Sequence, residues 1–116
     1  MRYLLMIYCD ENAWDTMSPE AQGAAFEGYN KLTTDLSTSG KLGASDALQP
    51  TSTATVVRVR NGEVLTTDGP YAETKEQLGG FYLVDAADLD EAVQWAAKVP
   101  PYGNMAVEVR PIMEFN

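Results

Sequence analysis

The chain has 116 residues, 45% of them hydrophobic, and a net charge of −9. This length predicts one domain, residues 1–116, with one core. The acidity argues against direct nucleic-acid binding, which depends on Lys and Arg neutralising phosphates. The absence of histidine and the single cysteine leave few ligands for a transition metal and exclude an internal disulfide. We therefore expect a cytoplasmic protein with no cofactor, no metal, no nucleic-acid partner and no membrane partner.

The first half of the chain predicts a strand, a helix and a weak strand. Residues 3–9 are read as the first strand, because this apolar run is too short for a signal peptide and acids follow it. Ser18 and Pro19 predict a helix start, with Ser as N-cap and Pro at the first helical position. The apolar residues that recur at helical spacing are Ala25, Tyr29, Leu32 and Leu36. The helix is expected to end near Gly40, and residues 42–48 to form the weak strand.

The second half predicts a hairpin, two further strands and a second helix. Its strands are expected at residues 55–60, 63–67, 80–85 and 106–113. Asn61 and Gly62 are a strong signal for a type I′ turn between the first two. Asp88 begins a sequence that resembles a capping box, and Pro100 lies beyond the helix end. The buried face of this helix is predicted to comprise Leu89, Ala92, Val93 and Ala96.

This order of elements predicts an α+β, ferredoxin-like sandwich with an extra hairpin strand. The first strand is apolar on both faces, because Leu4, Met6 and Tyr8 alternate with other apolar residues. Two helices can cover only one face of the sheet. We therefore expect a homodimer in which a second copy covers the other face, the arrangement of a dimeric α+β barrel.

One polar segment, residues 68–81, is the most informative part of the sequence. It reads DGPYAETKEQLGGF, in which Asp-Gly-Pro is turn chemistry and Gly79 and Gly80 let the backbone enter the next strand without steric conflict. The segment resembles the signature of the YCII-related proteins, in the subgroup called DGPF-domain proteins. The resemblance extends over nearly the whole chain, through residues 3–8, 48–50, 55–60, 88–92 and 107–114.

The resemblance implies a dimeric α+β barrel, an architecture shared with muconolactone isomerases, some dehydrochlorinases of chlorinated rings and certain monooxygenases. These proteins use the cavity between sheet and helices for small ring compounds. We therefore expect a small-molecule-binding protein, with cofactor-free isomerisation or elimination as its chemistry and Asp68 as the base. The alternative, also from the resemblance, is a non-enzymatic accessory or regulatory protein associated with an extracytoplasmic-function sigma factor.

Two residues are candidates for catalysis. Asp68 either shapes its turn by accepting backbone hydrogen bonds or acts as a carboxylate near the sheet, and we expect it to be partly buried beside the main cavity. Tyr29 either packs in the core or occupies the position where the resemblance implies a histidine paired with the loop acid. Because tyrosine titrates near 10, Tyr29 is a poor base at neutral pH.

The candidates for ligand binding are Tyr8, Arg58, Tyr71, Glu73, Lys75 and Tyr82. Lys75 is expected either to bind a carboxylate or enolate, with Glu73 holding it in place, or to belong to a solvated charged loop. Arg58 is otherwise part of an exposed strand face. Tyr8 and Tyr82 are expected either to line a cavity or to pack in the dimer core. Cys9 has no histidine to activate it and is expected to be inert.

Overall fold

The computed structural model describes residues 1–115. The strands are β1 (Arg2–Cys9), β2 (Leu42–Ala47), β3 (Thr55–Arg60), β4 (Glu63–Asp68), β5 (Gln77–Asp85) and β6 (Ala106–Pro111), and the helices are α1 (Glu11–Asp15), α2 (Pro19–Thr38) and α3 (Leu89–Ala96). Four strands form an antiparallel sheet in the order β2-β5-β1-β6, while β3 and β4 pair only with each other. Helices α2 and α3 are the crossovers between β1 and β2 and between β5 and β6. The predicted α+β, ferredoxin-like fold is confirmed.

The two faces of the sheet differ in cover. Along β1, residues Tyr3, Leu5, Ile7 and Cys9 are buried, and they share the core with Leu32 and Leu36 of α2 and Ala92 of α3. The alternate residues of β1 and β5 are only half-buried; they are Leu4, Met6, Tyr8, Phe81 and Leu83. We call this second set the open face. The prediction that the helices cover one face only is confirmed.

Helix α2 follows its sequence signals closely. The Ser18 hydroxyl accepts a hydrogen bond from the Ala21 amide at 3.1 Å, and Pro19 is the first helical residue. The chain turns away at Gly40, whose φ of 71° suits glycine. Helix α1 was not predicted; the Asp10 carboxylate caps it by accepting from the Asn12 amide at 3.0 Å.

Helix α3 lies on the core in a different rotation from the one predicted. Asp88 caps it as expected, by accepting from the Glu91 amide at 2.9 Å. Ala92 is fully buried, but Leu89 and Val93 are 52% and 48% exposed, so their predicted burial is wrong. The residues of α3 that contact the core are Ala92, Trp95 and Ala96. The Trp95 indole N–H donates to the Glu91 carboxylate at 3.1 Å.

The extra hairpin forms a small sheet of its own. Asn61 and Gly62 have φ values of 52° and 78°, as a type I′ turn requires, so the predicted turn is confirmed. Every residue of β4 is exposed, and the hairpin carries exposed Val57, Val59 and Val64. Among the described residues, no helix combines the length and apolar character needed to cross a membrane.

Candidate functional site

A cavity of about 520 Å³ lies against the helix-covered side of the sheet, beside α1 and α2. It is lined by residues of β1, α1, α2 and β5, by the chain from Ser45 to Pro50, and by Tyr102. Its volume falls within the range of roughly 300–1,000 Å³ that is typical of small-molecule sites. It is therefore the main candidate for a ligand site in the described part of the chain.

Aromatic side chains form one wall of this cavity. The Trp14 ring makes edge contacts with Phe26, at 5.2 Å and 81°, and with Tyr102, at 5.3 Å and 61° between ring planes. Helix α1 is held against α2 because the Gln22 side-chain amide donates to the Trp14 carbonyl at 2.9 Å. Phe26 is 59% exposed, so this wall extends to the mouth of the cavity.

Tyr29 and Tyr82 also line the cavity, and hydrogen bonds hold them together. The Thr33 hydroxyl donates to the Tyr29 carbonyl at 2.9 Å and accepts from the Tyr82 hydroxyl at 3.0 Å. The Tyr82 hydroxyl also lies 3.4 Å from the Tyr29 carbonyl oxygen. Burial raises the pKa of Tyr29 to about 12, with nearby Cys9 and Tyr82 adding to the effect. Burial also raises the pKa of Tyr102. At neutral pH Tyr29 and Tyr102 are therefore neutral phenols, able to donate hydrogen bonds but unable to act as bases.

The inner end of the cavity is formed where β1 meets the glycine pair of β5. Cys9 is buried there, and a Cβ atom built on Gly79 would lie 2.8 Å from its sulfur. A Cβ atom on Gly80 would lie 3.0 Å from the Asp46 carbonyl oxygen. Both glycines are therefore required by close packing, which agrees with their predicted role of avoiding steric conflict.

A smaller polar pocket of about 260 Å³ adjoins the main cavity. Glu11 lines both, and its carboxylate accepts from the Thr51 amide at 2.8 Å and the Thr51 hydroxyl at 3.0 Å. Thr74, Lys75 and Gln77 contribute the loop side of this pocket. The predicted loop thus reaches the polar pocket, whereas its continuation at Gly79 reaches the main cavity.

Asp68 lies outside both pockets. It ends β4 opposite Thr55 and is exposed, so the expectation of a partly buried Asp68 beside the main cavity is wrong. The reason is that β4 pairs with β3 alone instead of joining the central sheet. The structure therefore does not bring Asp68 together with Tyr29.

The remaining predicted residues are dispersed. The Arg58 guanidinium lies 5.7 Å from the centre of the Tyr71 ring, and Tyr71 is 82% exposed. Glu73 is exposed in the loop and lines neither pocket. Tyr8 belongs to the open face, where its hydroxyl lies 3.9 Å from the Met6 sulfur. Of the eight candidates, Tyr29 and Tyr82 line the main cavity and Lys75 lines its polar neighbour.

The sequence analysis missed the aromatic wall. Trp14 belongs to the short helix α1, whose one local signal was the capping residue Asp10. Phe26 falls outside the apolar stripe of α2, and Tyr102 follows the proline pair after α3. Within residues 1–115, no cluster of three or more Cys, Asp or Glu side chains could hold a metal ion. The absence of a metal stays a prediction.

Comparison with known proteins identifies the family but adds no reaction. A family model described as "YCII-related domain" matches residues 1–116. An uncharacterized protein of Rhizobium meliloti (strain 1021) is 39% identical over 116 residues, which cover 97% of this chain and 92% of that protein.

Proposed function

We propose that this chain, which belongs to the YCII-related family, binds a small organic molecule in its aromatic cavity. The observation that supports this most is the cavity of about 520 Å³ lined by Trp14, Phe26, Tyr29, Tyr82 and Tyr102. Ligand sites are mostly apolar concavities with a few fixed polar groups. Here the polar groups are phenols held in place by aromatic contacts and by the Thr33 hydrogen bond.

Binding is better supported than turnover. Proton-transfer chemistry needs a base within hydrogen-bonding reach of the substrate. The expected base, Asp68, is exposed and does not line the cavity. Both oxygens of Glu11 already accept hydrogen bonds from Thr51, and Tyr29 is neutral at physiological pH. A ring compound that enters the cavity therefore does not meet the predicted base, Asp68, and binding is the activity that the cavity supports best.

The test is a screen of small ring compounds by thermal shift, with hits confirmed by calorimetry. Tyr102→Ala should abolish binding, because it removes one side of the aromatic wall. Asp68→Asn and Tyr71→Ala are matched controls outside the cavity and should bind normally. Loss of binding in Asp68→Asn with normal binding in Tyr102→Ala would refute the proposal. Conversion of a bound hit to product would show turnover, whereas binding alone fits the accessory role.

The protein acts, in this proposal, as a homodimer that pairs the open faces of two sheets. Leu4, Met6, Phe81 and Leu83 are half-buried apolar side chains that no helix of the described chain covers. Obligate interfaces of this kind bury roughly 2,000 Å² or more in total. The β3–β4 hairpin also supports a dimer. An isolated two-stranded hairpin is only marginally stable in water, and contact of its exposed valines with a second copy would stabilise it.

A further inference from the structure

The charged groups that line the main cavity are all acidic. The carboxylates are those of Glu11 and Asp15 on α1, whereas none of the described lining residues is Lys or Arg. Asp46 of β2 also borders the cavity, but it pairs with Phe81, so its side chain lies on the open face of the sheet. The chain carries a net charge of −9 and contains no histidine. An anionic ligand in this cavity would therefore meet like charges and no cation among the lining residues, because Lys75 lines only the adjoining polar pocket.

The aromatic wall has the arrangement that attracts a positive charge. Trp14 stands edge-on to Phe26 at 81° and to Tyr102 at 61°, so the three rings face in different directions around one corner. A cation beside such rings is attracted by the negative potential of their faces, most strongly by Trp. Tyr29 and Tyr102 are neutral phenols at pH 7, so the site attracts a cation through its ring faces and its acidic groups together.

We infer that the main cavity selects an organic cation, a small alkylammonium or quaternary ammonium compound. This inference rests on the proposed function and specifies its ligand class. The charged head lies against Trp14 near the carboxylates of α1, and the rest of the ligand extends toward Tyr82 and the glycine pair of β5.

The test compares three probes of nearly equal shape: choline, the neutral 3,3-dimethylbutan-1-ol and the anionic 3,3-dimethylbutyrate. Choline should bind about tenfold or more tightly than the alcohol, and the carboxylate should not bind. The chain has two tryptophans, and Trp95 does not line the cavity. In a two-dimensional NMR spectrum the Trp14 indole N–H signal should move on titration, while the Trp95 signal stays in place.

Substitutions in the aromatic wall test whether its rings cause the preference for choline. Trp14→Leu should reduce the preference for choline over the alcohol to near one, as measured by calorimetry, and Trp95→Phe should leave it unchanged. Phe26→Leu provides a second test: because Phe26 is 59% exposed, the substitution should leave the fold intact, and it should lower the preference for choline in the same direction.

Several results would overturn the inference. Equal or tighter binding of the alcohol, tighter binding of the carboxylate, or no binding of choline would each do so. The same follows if choline binds but shifts the Trp95 signal instead of that of Trp14. The ring-compound screen tests the proposed function separately. A neutral compound whose binding depends on Tyr102 would support small-molecule binding and, at the same time, exclude a cation-selective site.

Discussion

The ring of Trp14 lies 5.3 Å from that of Tyr102, at 61°, and so joins α1 to the segment that follows α3. The two residues are far apart in the sequence, yet their contact closes one side of the cavity. The glycine pair of β5 lies at the inner end of the same cavity. The first prediction concerns the space that this glycine pair leaves.

Gly79→Ala should lower the melting temperature, because the new Cβ atom would lie 2.8 Å from the Cys9 sulfur. Overpacking of this kind costs about 1–3 kcal/mol. Adding Cys9→Ala should restore most of the loss, and a double-mutant cycle measures the restoration. Gly23→Ala is the matched control: nothing lies within 4 Å of its Cβ position in α2, so it should stabilise by up to about 1 kcal/mol. A double mutant no more stable than Gly79→Ala would show that the Cys9 sulfur is not the atom with which the new Cβ clashes.

Tyr82→Phe should reduce the free energy of unfolding by about 1 kcal/mol, as measured by urea denaturation. It removes the hydroxyl that lies 3.0 Å from the Thr33 hydroxyl and 3.4 Å from the Tyr29 carbonyl. Thr33 keeps its own bond to the Tyr29 carbonyl, so the loss stays modest. Tyr71→Phe, at a residue 82% exposed, should leave stability unchanged. Equal effects of the two substitutions would show that the buried hydroxyl contributes nothing.

The Glu91 carboxylate should stabilise the folded protein fully above about pH 4.5 and progressively less as the pH falls towards 2. Its carboxylate lies 2.8 Å from the Lys41 ammonium and accepts from the Ala87 amide and the Trp95 indole. These bonds, that to Lys41 first, lower its pKa from 4.5 to about 2. In the unfolded chain Glu91 takes up a proton near pH 4.5, so its stabilising contribution is complete above that pH and disappears as the pH falls towards 2.

The measurement is the melting temperature of Glu91→Gln and wild type across this range. The variant should be less stable at pH 7, and the difference should shrink between about pH 4.5 and 2. Glu73→Gln, in the exposed loop, is the control and should follow wild type throughout. A difference that is constant with pH would contradict the assignment.

Tyr29 should ionise near pH 12, because burial raises its pKa from 10. The unfolded chain loses this proton from pH 10, so the group favours unfolding increasingly between pH 10 and 12. Tyr29→Phe should therefore lose less stability over this interval than wild type. Absorbance of the phenolate should show a late-titrating tyrosine that Tyr29→Phe lacks. Titration of Tyr29 near 10 would disprove its desolvation.

The neutral phenol also predicts low activity in any reaction that relatives carry out with a histidine at this position. Tyr29→His would place a group that titrates near neutral pH on the cavity wall. A side-by-side assay against a characterised relative's substrate measures the difference. Wild-type activity equal to that of the relative would show that another base operates.

Leu83→Glu should convert the proposed homodimer to monomer, because it places a charge within the apolar open face. Leu89→Glu, at a residue 52% exposed on α3, introduces the same charge away from that face and should remain dimeric. Light scattering at micromolar concentration gives the mass of each. A wild-type chain that is already monomeric would end the dimer proposal.

The sequence by itself determined the elements that depend on neighbouring residues. Ser18 and Asp88 act as helix caps, and Asn61 with Gly62 forms the hairpin turn, because each effect operates within one turn of backbone. The apolar run of β1, which places apolar residues on both faces, and the presence of two helices likewise predicted that the helices cover only one face of the sheet.

Only the tertiary structure decided what surrounds the site. Trp14 and Tyr102 meet through the packing of α1 against the segment after α3, and no local pattern encodes a contact between residues so distant in sequence. The same reason accounts for Asp68. Its turn was readable from Asp-Gly-Pro, but its distance from the cavity follows from β4 pairing with β3 alone, a choice of strand partner that is made only when the whole sheet forms.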